Sequence, residues 1–167
     1  MIRVGWCNDR NEIDRLAEFF ARNVTQSYIS HSELQFGRAV APDRWIDDLV
    51  AQFRAEIAER VPCAPGAPLR VASAYSGDEL IGIAYVTFNA SVPIPFIVLE
   101  DIVVDQRRRG GGYGQELLDW VFAQARTEGV KRAFLESGKD NHDAHHFFER
   151  NGFHQVSIVM MADLAKD

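Results

Sequence analysis

The run Leu99-Glu100-Asp101-Ile102-Val103-Val104-Asp105-Gln106-Arg107-Arg108-Arg109-Gly110-Gly111-Gly112-Tyr113-Gly114-Gln115-Glu116-Leu117-Leu118 constrains this chain more than any other. It predicts a buried apolar strand, a basic glycine-rich turn and the start of a helix. Glycine lets the backbone approach an anion closely and take up positive φ. A helix start aims free N–H groups and a positive dipole end at the same spot. Arg107, Arg108 and Arg109 add charge. Two adjacent carboxylates, Glu100 and Asp101, sit inside the apolar strand. A strand with acid or base groups that feeds a phosphate cradle points to a nucleotide-bearing cofactor beside proton-transfer chemistry.

Two commoner phosphate loops fail on spacing. A dinucleotide fingerprint needs G-x-G-x-x-G, but Gly110, Gly112 and Gly114 alternate and no third glycine follows at the required place. A P-loop ends in G-K-[ST], and no lysine occurs between Arg107 and Gln115.

Arg109-Gly110-Gly111-Gly112-Tyr113-Gly114 fits a third pattern, R/Q-x-x-G-x-G/A. That is the acetyl-CoA signature of the GNAT superfamily of N-acetyltransferases, which this chain resembles. Downstream, Asn141 to Phe153 is similar to the family's N-x-x-A-x-x-x-Y-x-x-x-G-F segment. Upstream, Leu99-Glu100-Asp101 followed by Val104 resembles the fourth strand of polyamine acetyltransferases. The detailed match covers about 99–118 and 136–153.

The resemblance implies an α/β fold, a mixed central β-sheet flanked by helices in the order β-α-α-β-β-β-α-β-α-β. It also implies acetyl-CoA as co-substrate, with no metal. Cofactor binding would fall to Arg109, Gly110, Gly111, Gly112, Tyr113, Gly114 and Gln115 around the pyrophosphate. Ile102, Val103 and Val104 would pair through strand-edge amides with the pantetheine arm. Asn141 and Phe148 complete the cofactor side. Many family members carry a tyrosine where this chain has Phe148, which has no proton to donate to the leaving thiolate.

Acetyl transfer to an amine needs a proton acceptor, because an alkylamine with a pKa of about 10.4 arrives charged. Glu100 is the candidate base: a carboxylate attracts the ammonium, then accepts its proton directly or through water. Partial burial in the strand would strengthen it as a base. Asp101, on the opposite face by strand alternation, is the alternative. His145 lies three residues before Phe148, on nearly the same helix face, and is the candidate acid. A thiol with a pKa near 8.5 is a fair leaving group without one. His142, Asp143, His145 and His146 have helical spacing for a metal, but no separated second ligand pair supports one.

At 167 residues the chain is expected to form a single domain over 1–167. Its net charge of −6 argues against nucleic acid as a partner and suits a cationic small molecule. No apolar run is long enough to span a membrane. The N-terminus lacks a signal-peptide layout, so a cytoplasmic location with Cys7 and Cys63 reduced is expected. A homodimer stays open.

Periodicity predicts a strand over 2–4 and a helix over 12–22, then an aperiodic segment over 24–40. A second helix should start near Pro42 and run to Glu59. Beyond a Pro-rich loop, a hairpin pairs 69–75 with 80–88, and a long strand ends at Val104. A helix over 114–128, a strand over 133–136, a helix over 142–150 and a closing strand over 153–162 follow. Tyr28, Phe36 and Trp45 are candidate walls for the acceptor, since aromatic faces suit a cation. The leading expectation is N-acetyl transfer to a primary amine of a small, cationic acceptor. The alternatives are a protein or peptide acetyltransferase and a catalytically weak CoA-binding regulatory domain.

Overall fold

The structure, a computed structural model, describes residues 1–165. The chain packs as two compact units. The first comprises Met1–Val24 and Asp48–Leu135, the second Thr25–Asp47 and the residues from Glu136 onward.

The first unit is built on a five-stranded sheet. In chain order it contains β1 (Arg3–Trp6), α1 (Ile13–Asn23), α3 (Leu49–Arg60), β4 (Leu69–Ser76), β5 (Glu79–Asn89), β6 (Phe96–Val104), α4 (Tyr113–Thr127) and β7 (Arg132–Leu135). The strand order is β1-β4-β5-β6-β7. All neighbours are antiparallel except β6 and β7, which run parallel. The β6–β7 connection therefore needs a crossover, and α4 supplies it.

β5 is the centre of the sheet, and residues 80–86 are buried without alternation. That pattern belongs to a strand covered on both faces. Tyr85 packs on Phe20 of α1, with ring centroids 5.3 Å apart, and Phe20 stacks on Phe53 of α3 at 3.8 Å. Gly82, an odd number of residues from Tyr85, faces the other way. A Cβ there would come within 3.2 Å of Leu117 Cδ2, so the missing side chain lets α4 lie close to the sheet. Phe20 and Phe53 are fully buried, each contributing roughly 1.5–3 kcal/mol.

α1 repeats the expected helix almost residue for residue. Asp9 caps the 3-10 turn before it, accepting from the Asn11 N–H at 2.9 Å. The start of α3 corrects the expectation. Pro42 lies in the turn of a short hairpin instead, and α3 begins at Leu49, where the Asp48 carboxylate accepts from the Ala51 N–H at 3.0 Å. A proline suits a turn as well as a first helical position, and the cap decides between them.

The second unit contains α2 (His31–Gln35), the hairpin of β2 (Ala39–Ala41) and β3 (Arg44–Trp45), and α5 (His142–Arg150). The segment 24–40 is thus more ordered than expected. Ser30 and Glu33 form a capping box at the start of α2. Glu33 also pairs with Arg38 at 3.2 Å, and both are buried.

The closing strand over 153–162 does not form. Residues 153–165 carry no regular structure, and Val156, Ile158, Val159, Met160, Met161 and Leu164 are exposed. A β-prone run becomes a strand only where a neighbour supplies its ladder and its packing. Among the described residues none does so here.

Candidate active site

β6 is where the backbone opens. Tyr85 pairs with Asp101 and Val86 with Leu99, so Glu100 is an extra residue on β6, a β-bulge opposite one bond of β5. On the other side, β7 pairs with β6 only from Phe96 to Leu99. Beyond Leu99, β6 has a strand partner on the β5 side alone among the described residues.

The direction of the amides follows from one hydrogen bond. The Asp105 N–H donates to the Ile81 carbonyl on the β5 side at 3.0 Å. Backbone groups alternate along a strand, so Val103 also bonds toward β5. Ile102 and Val104 turn their N–H and C=O groups to the open edge. Their side chains are half-buried, and Val103 is buried in the core. One strand thus provides core packing and an unpaired edge.

Glu100 and Asp101 divide as alternation demands. Asp101 is 2% exposed. The Glu100 side chain is 32% exposed, and both its oxygens have partners. Arg60 Nη2 donates to Oε2 at 3.0 Å, and the Thr87 hydroxyl donates to Oε1 at 2.6 Å. Arg60 is held over the Tyr85 ring at 4.7 Å and by the Glu56 carbonyl at 2.8 Å. The bulged carboxylate therefore sits partly buried in a polar clamp.

After β6 the chain turns through residues 106–112 into α4. The Asp105 carboxylate is buried and accepts from the Arg107 N–H and side chain. These bonds hold its pKa down at about 2. Gly110 and Gly112 have φ of +81° and +84°, where an L side chain is strained. Gly112 is the N-cap of α4, and no side chain caps the helix. A Cβ built on Gly110 or Gly112 meets no protein atom within 4 Å, so the surface of the turn is open. The first amides of a 15-residue helix face that surface. Gly111 differs: its Cβ would lie 2.8 Å from the Tyr113 ring.

The three arginines are not three free charges. Arg107 pairs with Asp105 at 2.7 Å and lies 3.5 Å from Glu79, to which Arg108 also bonds. Arg109 donates to the backbone carbonyl of Asn23 at 3.1 Å. Asn23 is the anchor that sequence reasoning missed. Its buried side chain accepts from the Gln106 N–H at 2.9 Å and donates to the Phe19 carbonyl. A polar residue at the end of an otherwise apolar helix face was the available signal. Arg60 and Thr87 had none, lying 40 and 13 residues from Glu100.

In the second unit, Tyr28 and Trp45 approach with ring centroids 6.2 Å apart, whereas Phe36 is 74% exposed. Trp45 lines an open cleft of about 400 Å³ with Val40, Arg44, Ile46 and Asp47. Asn141 begins α5, its carbonyl accepting from the His145 N–H at 3.1 Å. His145 Nε2 lies 2.9 Å from the Gly138 carbonyl, which can only accept, so Nε2 carries the proton. Phe148 is buried against Phe147 and Phe153. Among the described residues no group of three or more His, Cys, Asp or Glu could hold a metal ion. No helix among them is long and apolar enough to cross a membrane.

The model of the acetyltransferase (GNAT) family matches residues 32–153, most of the chain. The chain belongs to the GNAT acetyltransferase family. Solved structures share the fold at low identity. A transcriptional regulator from Bacillus halodurans C-125 is 17% identical with a TM-score of 0.71, covering 98% of this chain and 100% of its own. The ribosomal-protein-alanine N-acetyltransferase of Brucella melitensis biovar Abortus 2308 is 13% identical at 0.69, with coverage of 98% and 100%. An aminoglycoside N-acetyltransferase in complex with CoA is 15% identical at 0.64, with coverage of 98% and 94%. A comparison with curated proteins gives no match.

The residues of this GNAT chain fit the cofactor its family uses. An uncapped helix start behind an open glycine turn suits a pyrophosphate. The open edge of β6 at Ile102 and Val104 suits an amide-bearing arm.

Proposed function

We propose that this GNAT member moves an acetyl group from acetyl-CoA to a primary amine of a small, cationic acceptor. The observation that carries the proposal is the sequence of features along one strand. A clamped carboxylate at a bulge is followed by an unpaired edge and then by a phosphate-type turn. Acetyl-CoA, when bound, supplies the thioester. The amides of the 110–115 turn hold its pyrophosphate, and the edge of β6 orients its arm.

Glu100 draws in the ammonium and takes a proton from it, directly or through a water. Arg60 and the incoming cation compete for the same carboxylate, so Arg60 orients Glu100 and yields part of it on binding. The amine nitrogen then bonds to the acetyl carbon, the carbon–sulfur bond breaks, and the nitrogen gives its second proton to solvent as the amide forms. The sulfur leaves as thiolate and takes its proton from solvent. Phe148 has no proton to give, and His145 spends its Nε2–H on Gly138. The chain's net charge of −6 favours a cationic acceptor. Aminoglycosides, which one structural neighbour acetylates, are amines of that kind. The protein works in the cytoplasm on this reading, without nucleic acid or membrane.

The test is a panel of amines: a polyamine, an aminoglycoside, an amino acid and a peptide. Free thiol is followed while products are weighed by mass spectrometry. Acetylation of a small polyamine-like acceptor supports the reading. Acetylation of the peptide alone moves the activity to protein substrates, and binding without turnover makes the chain a CoA-binding module.

A further inference from the structure

Cys7 and Cys63 take no part in the chemistry above. Cys7 follows β1 and is 6% exposed, while Cys63 lies half-buried in the loop after α3. Far apart in sequence, they meet in space. The Cys63 N–H donates to the Cys7 carbonyl at 3.2 Å, while the Cys7 N–H donates to Val71 at 2.8 Å. With standard bond lengths, that contact keeps the two Cα atoms within about 7 Å. Disulfides bridge Cα separations of roughly 4.4–6.8 Å. Each thiol now makes only a long contact to a carbonyl of its own segment, Cys7 Sγ to Asp9 at 3.7 Å and Cys63 Sγ to Ala64 at 4.0 Å. Neither contact holds the sulfur against rotation about χ1. Arg10 fixes the loop from the other side through the Val61 carbonyl at 2.9 Å.

We propose that Cys7 and Cys63 form a reversible intramolecular disulfide, a modification site that ties the end of β1 to the loop after α3, with a low-molecular-weight disulfide as oxidant. Cys63 is the more accessible thiol and reacts first as its thiolate; burial raises its pKa and the Arg70 guanidinium nearby offsets part of that rise. Its thiolate attacks the small disulfide, and one small thiol leaves. Cys7 then loses its proton and attacks Cys63 Sγ, and the second small thiol leaves. Two protein thiols are oxidised, and one small disulfide is reduced to two thiols. Burial pushes both protein thiols up in pKa, so the exchange is slow at neutral pH and faster in mild alkali.

The test is a redox titration of the full chain in buffers of reduced and oxidised glutathione, quenched with an alkylating agent. The expected oxidised product has lost two hydrogens by intact mass. Its non-reduced digest holds one peptide pair joining Cys7 to Cys63, and its midpoint of thermal unfolding lies roughly 10 °C above the reduced form. Cys63→Ser, in the half-buried loop, should fold and show no mass loss. A stable glutathione adduct on Cys63 without loss of two hydrogens would overturn the proposal. So would a disulfide-linked dimer of two chains, or two freely alkylated thiols at every ratio.

Discussion

Arg60 Nη2 lies 3.0 Å from Glu100 Oε2, binding the C-terminal residue of α3 to the bulge of β6. The pair is partly open, with side-chain exposures of 11% for Arg60 and 32% for Glu100. The Arg60 Nε is buried without a hydrogen-bond partner. The guanidinium is thus placed by its ring contact, by the Glu56 carbonyl and by Glu100, and Glu100 is placed by Arg60 and Thr87.

Glu100→Gln keeps the size and the Thr87 contact but cannot take a proton. Turnover should fall by on the order of a hundredfold, with acetyl-CoA affinity unchanged by calorimetry. The defect should shrink as pH rises towards the amine's own pKa of about 10.4, where substrate arrives neutral. Asp101→Asn is the comparison. Its site is 2% exposed, so stability should suffer more than turnover. Normal turnover in Glu100→Gln with a dead Asp101→Asn would exchange the two roles.

Gly112→Val probes the turn. The backbone there has φ of +84°, which costs a branched L residue on the order of 1–2 kcal/mol. The added Cβ meets no protein atom, so the variant should still fold. Acetyl-CoA binding should weaken at least tenfold, about 1.4 kcal/mol, in a titration on protein shown to be folded by circular dichroism. Equal affinity would remove the turn from the cofactor site.

His145→Ala separates an acid from a strut. The ring bonds the carbonyl of Gly138, a residue so tightly packed that a Cβ would lie 2.3 Å from the Ser27 carbonyl oxygen. Single-turnover acetyl transfer should change by less than about threefold, while stability to urea falls by about 1 kcal/mol. A hundredfold loss of rate would make His145 the acid that Phe148 cannot be.

Asp105 gives a pH prediction. Its folded pKa is lowered to about 2 from 3.8, chiefly by the Arg107 side chain. A lowered folded pKa contributes stability that is present above the unfolded value and lost as pH falls through the folded one. Asp105→Asn should therefore cost on the order of 1–2 kcal/mol at pH 7, discounted because Arg107 is largely exposed. Urea unfolding should show the gap between the two proteins closing from about pH 4 down to about pH 2. A gap that does not change with pH would contradict the ion pair as its source.

What the sequence made legible was local. The strand, turn and helix from Phe96 to Thr127 follow from an apolar run, clustered glycines and a helical period, all read within a few residues. The helix over 142–150 agrees to the residue with α5. The hidden parts depend on distant chain. The bulge at Glu100 exists only in the register of β6 against β5, and the clamp on Glu100 comes from Arg60, which no local pattern links to it. Ser30 and Glu33 did carry the capping-box spacing of α2, but the segment lacks an apolar period and reads as loop. Residues 153–162 show the reverse error, where β-propensity without a partner strand makes no strand.

The most direct test of the account is the ratio of thiol released to amide formed, measured in one vessel with acetyl-CoA and a primary diamine or polyamine. Direct transfer at the Glu100 site predicts one acetylated amine for each thiol, with Glu100→Gln slowing both by the same factor. Thiol release without acetylated amine, or no release by wild-type protein that binds acetyl-CoA, would contradict it.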